Sequence, residues 1–222
     1  MKNTIIALTI VFTSFTGVQA ETEEANQNKE SVTQNQSYKI IPYIGSSSLT
    51  LSGSGLDGTS GDGNVLGVTV SNSFDVADTE FEAGLLLIES ESYNYKFVNF
   101  NFLKESNTMK HIAIPLTAKY NFWQYDESSK VYAKGGLTPM ILTSAKSEVT
   151  NWGKPVQSSD LKSSMNTVDA HLNMGLGYTY QYNESLEFIA EGIYNQGLLN
   201  VLKNGSAKVS GMTWNAAVSV KL

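Results

Sequence analysis

From Gly211 to Leu222 the chain alternates, with Met212, Trp214, Ala216, Val218, Val220 and Leu222 set against Thr213, Asn215, Ala217, Ser219 and Lys221. A two-residue period belongs to a strand with one face in apolar and the other in polar surroundings. The same reading predicts strands over Tyr38–Leu51, Asn64–Phe74, Thr79–Tyr93, Met109–Phe122, Lys130–Ala145, Val168–Tyr182, Leu186–Asn195 and Lys208–Leu222. In the fourth run Ile112, Ile114, Leu116, Ala118, Tyr120 and Phe122 oppose His111, Thr117, Lys119 and Asn121. In the sixth, Leu172, Met174, Leu176, Tyr178, Tyr180 and Tyr182 oppose His171, Asn173, Gly175, Gly177, Thr179 and Gln181. The third adds Phe81, Ala83, Leu85 and Leu87 to the apolar face, and the seventh adds Leu186, Phe188 and Ala190. In the first run the apolar residues change phase around Gly45, which predicts a bulge or shifted register there.

Connection lengths alternate as well. Ser52–Gly63, Asn94–Thr108, Lys146–Thr167 and Gln196–Ala207 are long and polar or glycine-rich, whereas Asp75–Asp78, Trp123–Ser129 and Asn183–Ser185 are short. Long loops at one end and tight turns at the other suit an up-and-down antiparallel transmembrane β-barrel with an even number of strands. About eight are expected, or ten if Lys146–Thr167 hides a hairpin. In this all-β fold the apolar face meets lipid and the polar face fills the lumen. Aromatic side chains should mark both lipid–water boundaries. Phe74, Phe81, Tyr120, Phe122, Trp123 and Tyr182 fall at the short-turn end, and Tyr93, Tyr194 and Trp214 at the other. A soluble sheet would instead need further layers to cover these rings.

Residues 1–20 combine Lys2, an apolar stretch from Ile5 to Val18 and Val18-Gln19-Ala20 as a cleavage site, which reads as a secretory signal peptide. Residues 21–36, ETEEANQNKESVTQNQ, bury too little apolar surface to fold and are expected to form a flexible periplasmic tail. The barrel domain then spans 37–222. An exported chain without cysteine has no disulfide framework, so its stability must come from burial in a core or in lipid. The formal charge of −6 argues against a nucleic-acid partner. All 15 basic residues are lysines, so bidentate guanidinium clamps are absent.

The segment Ile112-Ala113-Ile114-Pro115-Leu116-Thr117-Ala118-Lys119-Tyr120-Asn121-Phe122 resembles the Ile-Pro-Leu-x-x-Lys-Tyr strand of small outer-membrane β-barrel domain proteins, the OmpA/OmpX-like porin-family barrels of diderm bacteria. Gly175-Leu176-Gly177-Tyr178 followed by Leu186-Glu187-Phe188 is similar to their penultimate hairpin. The resemblance implies a barrel of eight to ten strands in the outer membrane, with surface, adhesion or envelope roles and no shared active site. A departure is Leu222, where these proteins usually end in Phe or Tyr.

Within such a barrel Glu82, Lys119, Lys134, Glu187 and Glu191 fall on the polar face, and all but Glu191 are expected in the turn-proximal third. A lumen of eight strands is narrow enough for side chains to fill, so these ions must neutralise one another as a plug; a gated ion path is the alternative. His171 and Asp169 share the inward face, a weak hint of a general base and its orienting carboxylate, with Ser163 and Ser164 upstream and His111 as the other histidine. No nucleophile elbow, phosphate loop or zinc spacing accompanies them. Gly55–Asn64 reads as a flexible loop whose carboxylates would suit at most a weak calcium site. Tyr93, Tyr95, Phe97, Phe100 and Phe102 suit either contact with a partner, glycan or lipid, or pairing of rings across an extended hairpin. The expectation is a monomeric, non-catalytic surface protein without a cofactor, in contact with outer-membrane lipid and with an extracellular partner through its long loops. A small channel, a soluble periplasmic ligand-binding barrel and a lipid-modifying enzyme are the alternatives.

Overall fold

The computed structural model describes residues 38–53, 56–73, 78–98 and 101–222. The expected leader and tail, Phe74 and Phe100 lie outside them. The strands are β1 (Tyr38–Gly53), β2 (Leu56–Ser73), β3 (Thr79–Val98), β4 (Asn101–Ala113), β5 (Leu116–Gln124), β6 (Ser129–Asn151), β7 (Lys154–Asp160), β8 (Val168–Asn183), β9 (Leu186–Gly197) and β10 (Ala207–Lys221). Pairing is antiparallel throughout, and β1 bonds both β2 and β10, so the sheet closes on itself. Strands β4 and β5 share the partners β3 and β6 and form one stave, interrupted where Pro115 has no N–H for the ladder. The hairpin hidden in 146–167 is real: β7 pairs with the upper part of β6 above the start of β8. It extends the wall upward without widening the ring, leaving eight staves among the described residues.

Tilt follows from the register. From Ile44, the pairs Leu66, Leu87 and Ile112 lead to Ile141 on β6. In the other direction Ala216, Ala190 and Tyr178 lead to Val131 on the same strand. Residue 141 against residue 131 is a stagger of ten residues, which tilts the strands by roughly 40° and ties barrel width to strand number. Every residue on this circuit is apolar or aromatic and shares the outward parity. Leu116 is 46% and Leu176 61% exposed, and Val218 is half-buried, whereas Lys119 and Ser219 are buried in the lumen and Thr179 is half-buried on the inward side. A barrel dissolved in water would need the opposite arrangement.

The structure corrects three expectations. Through Gly45 the register of β1 is unbroken on both sides, and the irregularity lies between Leu51 and Gly53. The phase change there reflects the surroundings: Ser46 and Ser48 point outward above the apolar belt while Leu49 points inward into an apolar cluster. The long connections are shorter than expected, because Leu56–Gly63 belongs to β2 and β3 and β4 run on to Val98 and Asn101. Of the expected loop Gly55–Asn64, Gly55 lies outside the described residues and Leu56–Asn64 belongs to β2, with Asp62 paired to Ser48 and Glu91, so this stretch is strand rather than loop.

Candidate functional site

The lumen is crossed at two levels. At the lower one Lys134 on β6 holds Glu82 of β3 at 3.0 Å and Glu191 of β9 at 3.2 Å. Lys119 on β5 approaches the other oxygen of Glu82 at 3.2 Å. The Tyr43 hydroxyl donates to Glu82 at 3.0 Å, the Tyr132 hydroxyl to Glu191 at 2.8 Å, and Asn215 Nδ2 to Glu191 at 3.0 Å. All these side chains are buried, so each carboxylate meets charged or neutral donors in place of the water it gave up. Glu191 belongs to this network. Glu187 does not: it meets Lys39 at 3.1 Å, and Lys39 also holds Glu80 at 2.8 Å, making a second, more exposed triad at the short-turn mouth.

Strand geometry makes room for these groups. Tyr132 lies opposite Gly177, where an added Cβ would come within 2.1 Å of its ring, so glycine lets the phenol lie against the wall. Sequence reasoning missed Tyr43, Tyr132, Asn215, Lys39 and Glu80. Their inward parity was the available signal, since β1, β3, β6 and β10 keep the same alternation to their lower ends.

At the upper level the inner wall turns apolar. Leu49, Met109, Leu142, Ala145, Ala207 and Val209 line it, and Met165 and Val201 from the loops fill it, with Leu161 and Leu202 packed alongside. Met165 and Leu202 form an isolated bridge, the Asn166 N–H donates to the Val201 carbonyl at 2.9 Å, and Lys203 N–H donates to the Ser164 carbonyl at 3.1 Å. Burial of each large apolar side chain contributes about 1.5–3 kcal/mol, so the two loops are held as a lid rather than left in water. Between lid and ion network lies a cavity of about 50 Å³. Ser47, Thr69, Thr117, Asn173 and Asn215 each turn a buried oxygen without a protein partner toward it, an environment suited to a few waters.

His171 Nε2 lies 3.0 Å from Asp169 Oδ2, and both side chains are buried. The pair faces the lumen, away from lipid. Ser163 and Ser164 sit exposed in a 3-10 turn of the lid, so the structure does not join the pair to either serine. His111 is also buried in the lumen. Among the described residues no group of three or more histidine or acidic side chains could hold a metal ion.

On the outer face Phe81, Tyr120, Phe122, Trp123 and Tyr182 are exposed at the short-turn end, and Tyr194 and Trp214 are exposed higher on β9 and β10. Above the apolar belt the outward stripe of β3 continues through Glu89, which meets Lys110 at 3.0 Å, to Tyr93, Tyr95 and Phe97. The rings of this hairpin pair across it: Phe97 lies opposite Phe102, and Tyr95 stacks on Phe102 at 5.5 Å.

A closed, tilted antiparallel ring with an apolar exterior and a charged interior defines a membrane-spanning β-barrel. Residues 63–203, well over half of the chain, match the model of the family described as outer membrane protein beta-barrel domain, and the chain belongs to that family. Its fold is similar to that of neisserial surface protein A, at 17% identity over 84% of this chain and 97% of that one, with a TM-score of 0.50. The N-terminal β-barrel domain of Pseudomonas aeruginosa OprF aligns at 14% identity over 84% of this chain and 97% of that one, with a TM-score of 0.45. Ail, the attachment invasion locus protein of Yersinia pestis, aligns at 14% identity over 84% of this chain and 98% of that one, with a TM-score of 0.39. No curated protein matches the chain.

Proposed function

We propose that this chain is a monomeric, non-catalytic surface protein of the outer membrane whose extracellular hairpins make envelope or adhesion-type contacts. Residues 1–20 act as a cleaved export leader and 21–36 as a periplasmic tail. The observation that carries this reading is the contrast between the two faces of the upper barrel. Inside, the lid and the Glu82–Lys134–Glu191 network occupy the lumen; outside, β3, β4 and β6 continue past the lipid belt with Tyr95, Phe97 and Trp152 exposed. A blocked lumen gives ions no continuous aqueous path, and a buried His171–Asp169 pair is out of reach of lipid.

Two measurements test this. Protease added to intact cells should cut at the β6–β7 turn, around Trp152-Gly153, and leave the barrel protected. Purified protein in planar bilayers should show no steady conductance. Hairpins protected on intact cells would contradict the surface reading, and reproducible conductance steps would favour a channel instead.

A further inference from the structure

Three rings from separate segments form one platform above the lipid belt. Tyr95 of β3 stacks on Phe102 of β4 with 29° between the planes, and Trp152 tilts against Phe102 at 6.2 Å and 45°. Tyr95 is 57% and Trp152 70% exposed. Trp152 has φ +49° and Gly153 φ +78°, the consecutive positive values of the two-residue hairpin turn that usually carries Asn-Gly. A bulky side chain is disfavoured in that region, so the indole is held where the backbone favours glycine or asparagine. Ring pairing within the β3–β4 hairpin explains Tyr95 and Phe102 but not a strained tryptophan at the next turn.

The platform faces sideways. Tyr95 shares its parity with Leu87, the last outward aliphatic residue of β3, so it faces whatever surrounds the barrel rather than the space above it. Eight residues separate the two, roughly 20 Å along the axis at about 3.3 Å per residue and the tilt derived above. At that height the hydrocarbon has ended, and an outer-membrane barrel is surrounded by the saccharide portion of the outer-leaflet glycolipid. Sugar rings present C–H faces that suit aromatic planes, and the two outer members of the cluster, Tyr95 and Trp152, keep most of their ring surface exposed to receive them. Lys104 Nζ, 3.8 Å from the centre of the Tyr93 ring, adds a cation beside the platform for anionic substituents.

We propose that Tyr95, Phe102 and Trp152 form a stacking surface for the saccharide chain of the outer-leaflet glycolipid beside the barrel. The proposal rests on the surface reading above. The test uses the refolded mature protein and saccharide released from that glycolipid by removing its acyl chains, titrated by calorimetry. Trp152→Asn, which suits the turn, and Tyr95→Ser should each weaken binding about ten-fold, while Trp123→Phe at the opposite end leaves it unchanged. Heat-dependent gel migration confirms that each variant is folded. Absence of binding to the wild-type protein, or undiminished wild-type affinity in Trp152→Asn and Tyr95→Ser, would overturn the proposal. Protease cleavage of the hairpins on intact cells reports the surface reading separately, so accessible hairpins that fail to bind saccharide refute only this inference.

Discussion

Lys134 is the residue on which the lower lumen turns, because its ammonium is the cation shared by Glu82 and Glu191. In Lys134→Met, Glu82 keeps Lys119 but Glu191 retains only the neutral donors Tyr132 and Asn215. Stripping one partner from a buried ion pair typically costs about 3–5 kcal/mol, so urea unfolding of the variant in lipid vesicles should show a loss of that order. Adding Glu191→Gln should recover most of it, since Glu82 still pairs with Lys119 and no buried charge is then left uncompensated there. A loss below about 1 kcal/mol in the single variant would show that the carboxylates are hydrated rather than paired. Parity along the sequence placed Glu82, Lys119, Lys134 and Glu191 in the lumen, but parity gives a face and no height. Distance from the turns along the chain set Glu191 apart and grouped Glu187 with the others, whereas the tilt sets Glu191 level with Lys134 and Glu187 level with Lys39 and Glu80.

Among the elements, the stave formed by β4 and β5 shows most directly what each face must satisfy. Leu116 lies outward near the middle of the apolar belt, and Thr117 is buried in the lumen beside it. Leu116→Lys should destabilise the barrel by about 2–4 kcal/mol, measured by unfolding from vesicles, because an ammonium near the bilayer midplane loses its hydration. The lower strand ends were legible because Asp75–Asp78, Trp123–Ser129 and Asn183–Ser185 carry compact turn signals between strongly amphipathic runs. The upper ends were not. Above the belt both faces meet polar surroundings, so the contrast that reveals a strand fades and segments such as Asn94–Val98 read as loop although they pair with β4. Leu49 and Leu51 misled for a related reason: the lid makes the upper lumen apolar and reverses the usual pattern of an apolar outside and polar inside.

Taken as a whole, the molecule is stabilised by opposite means on its two surfaces. Lipid solvates the outer belt, while ion pairs and a small apolar lid fill the narrow interior, so an exported chain without cysteine needs no covalent staple. Strand number, closure and inside–outside polarity could be read from alternation and connection lengths. The aromatic platform could not, because it joins residues of β3, β4 and the β6–β7 turn that only the folded register brings together. The native absence of cysteine also makes the polarity directly measurable. Single cysteines placed in turn at positions 214 to 220 of β10, spin-labelled and examined in lipid vesicles, report collisions with lipid-soluble oxygen. The expected result is a strict two-residue alternation, with 214, 216, 218 and 220 accessible to oxygen and 215, 217 and 219 shielded. The reverse phase, or uniform accessibility, would contradict a barrel whose apolar face meets the membrane.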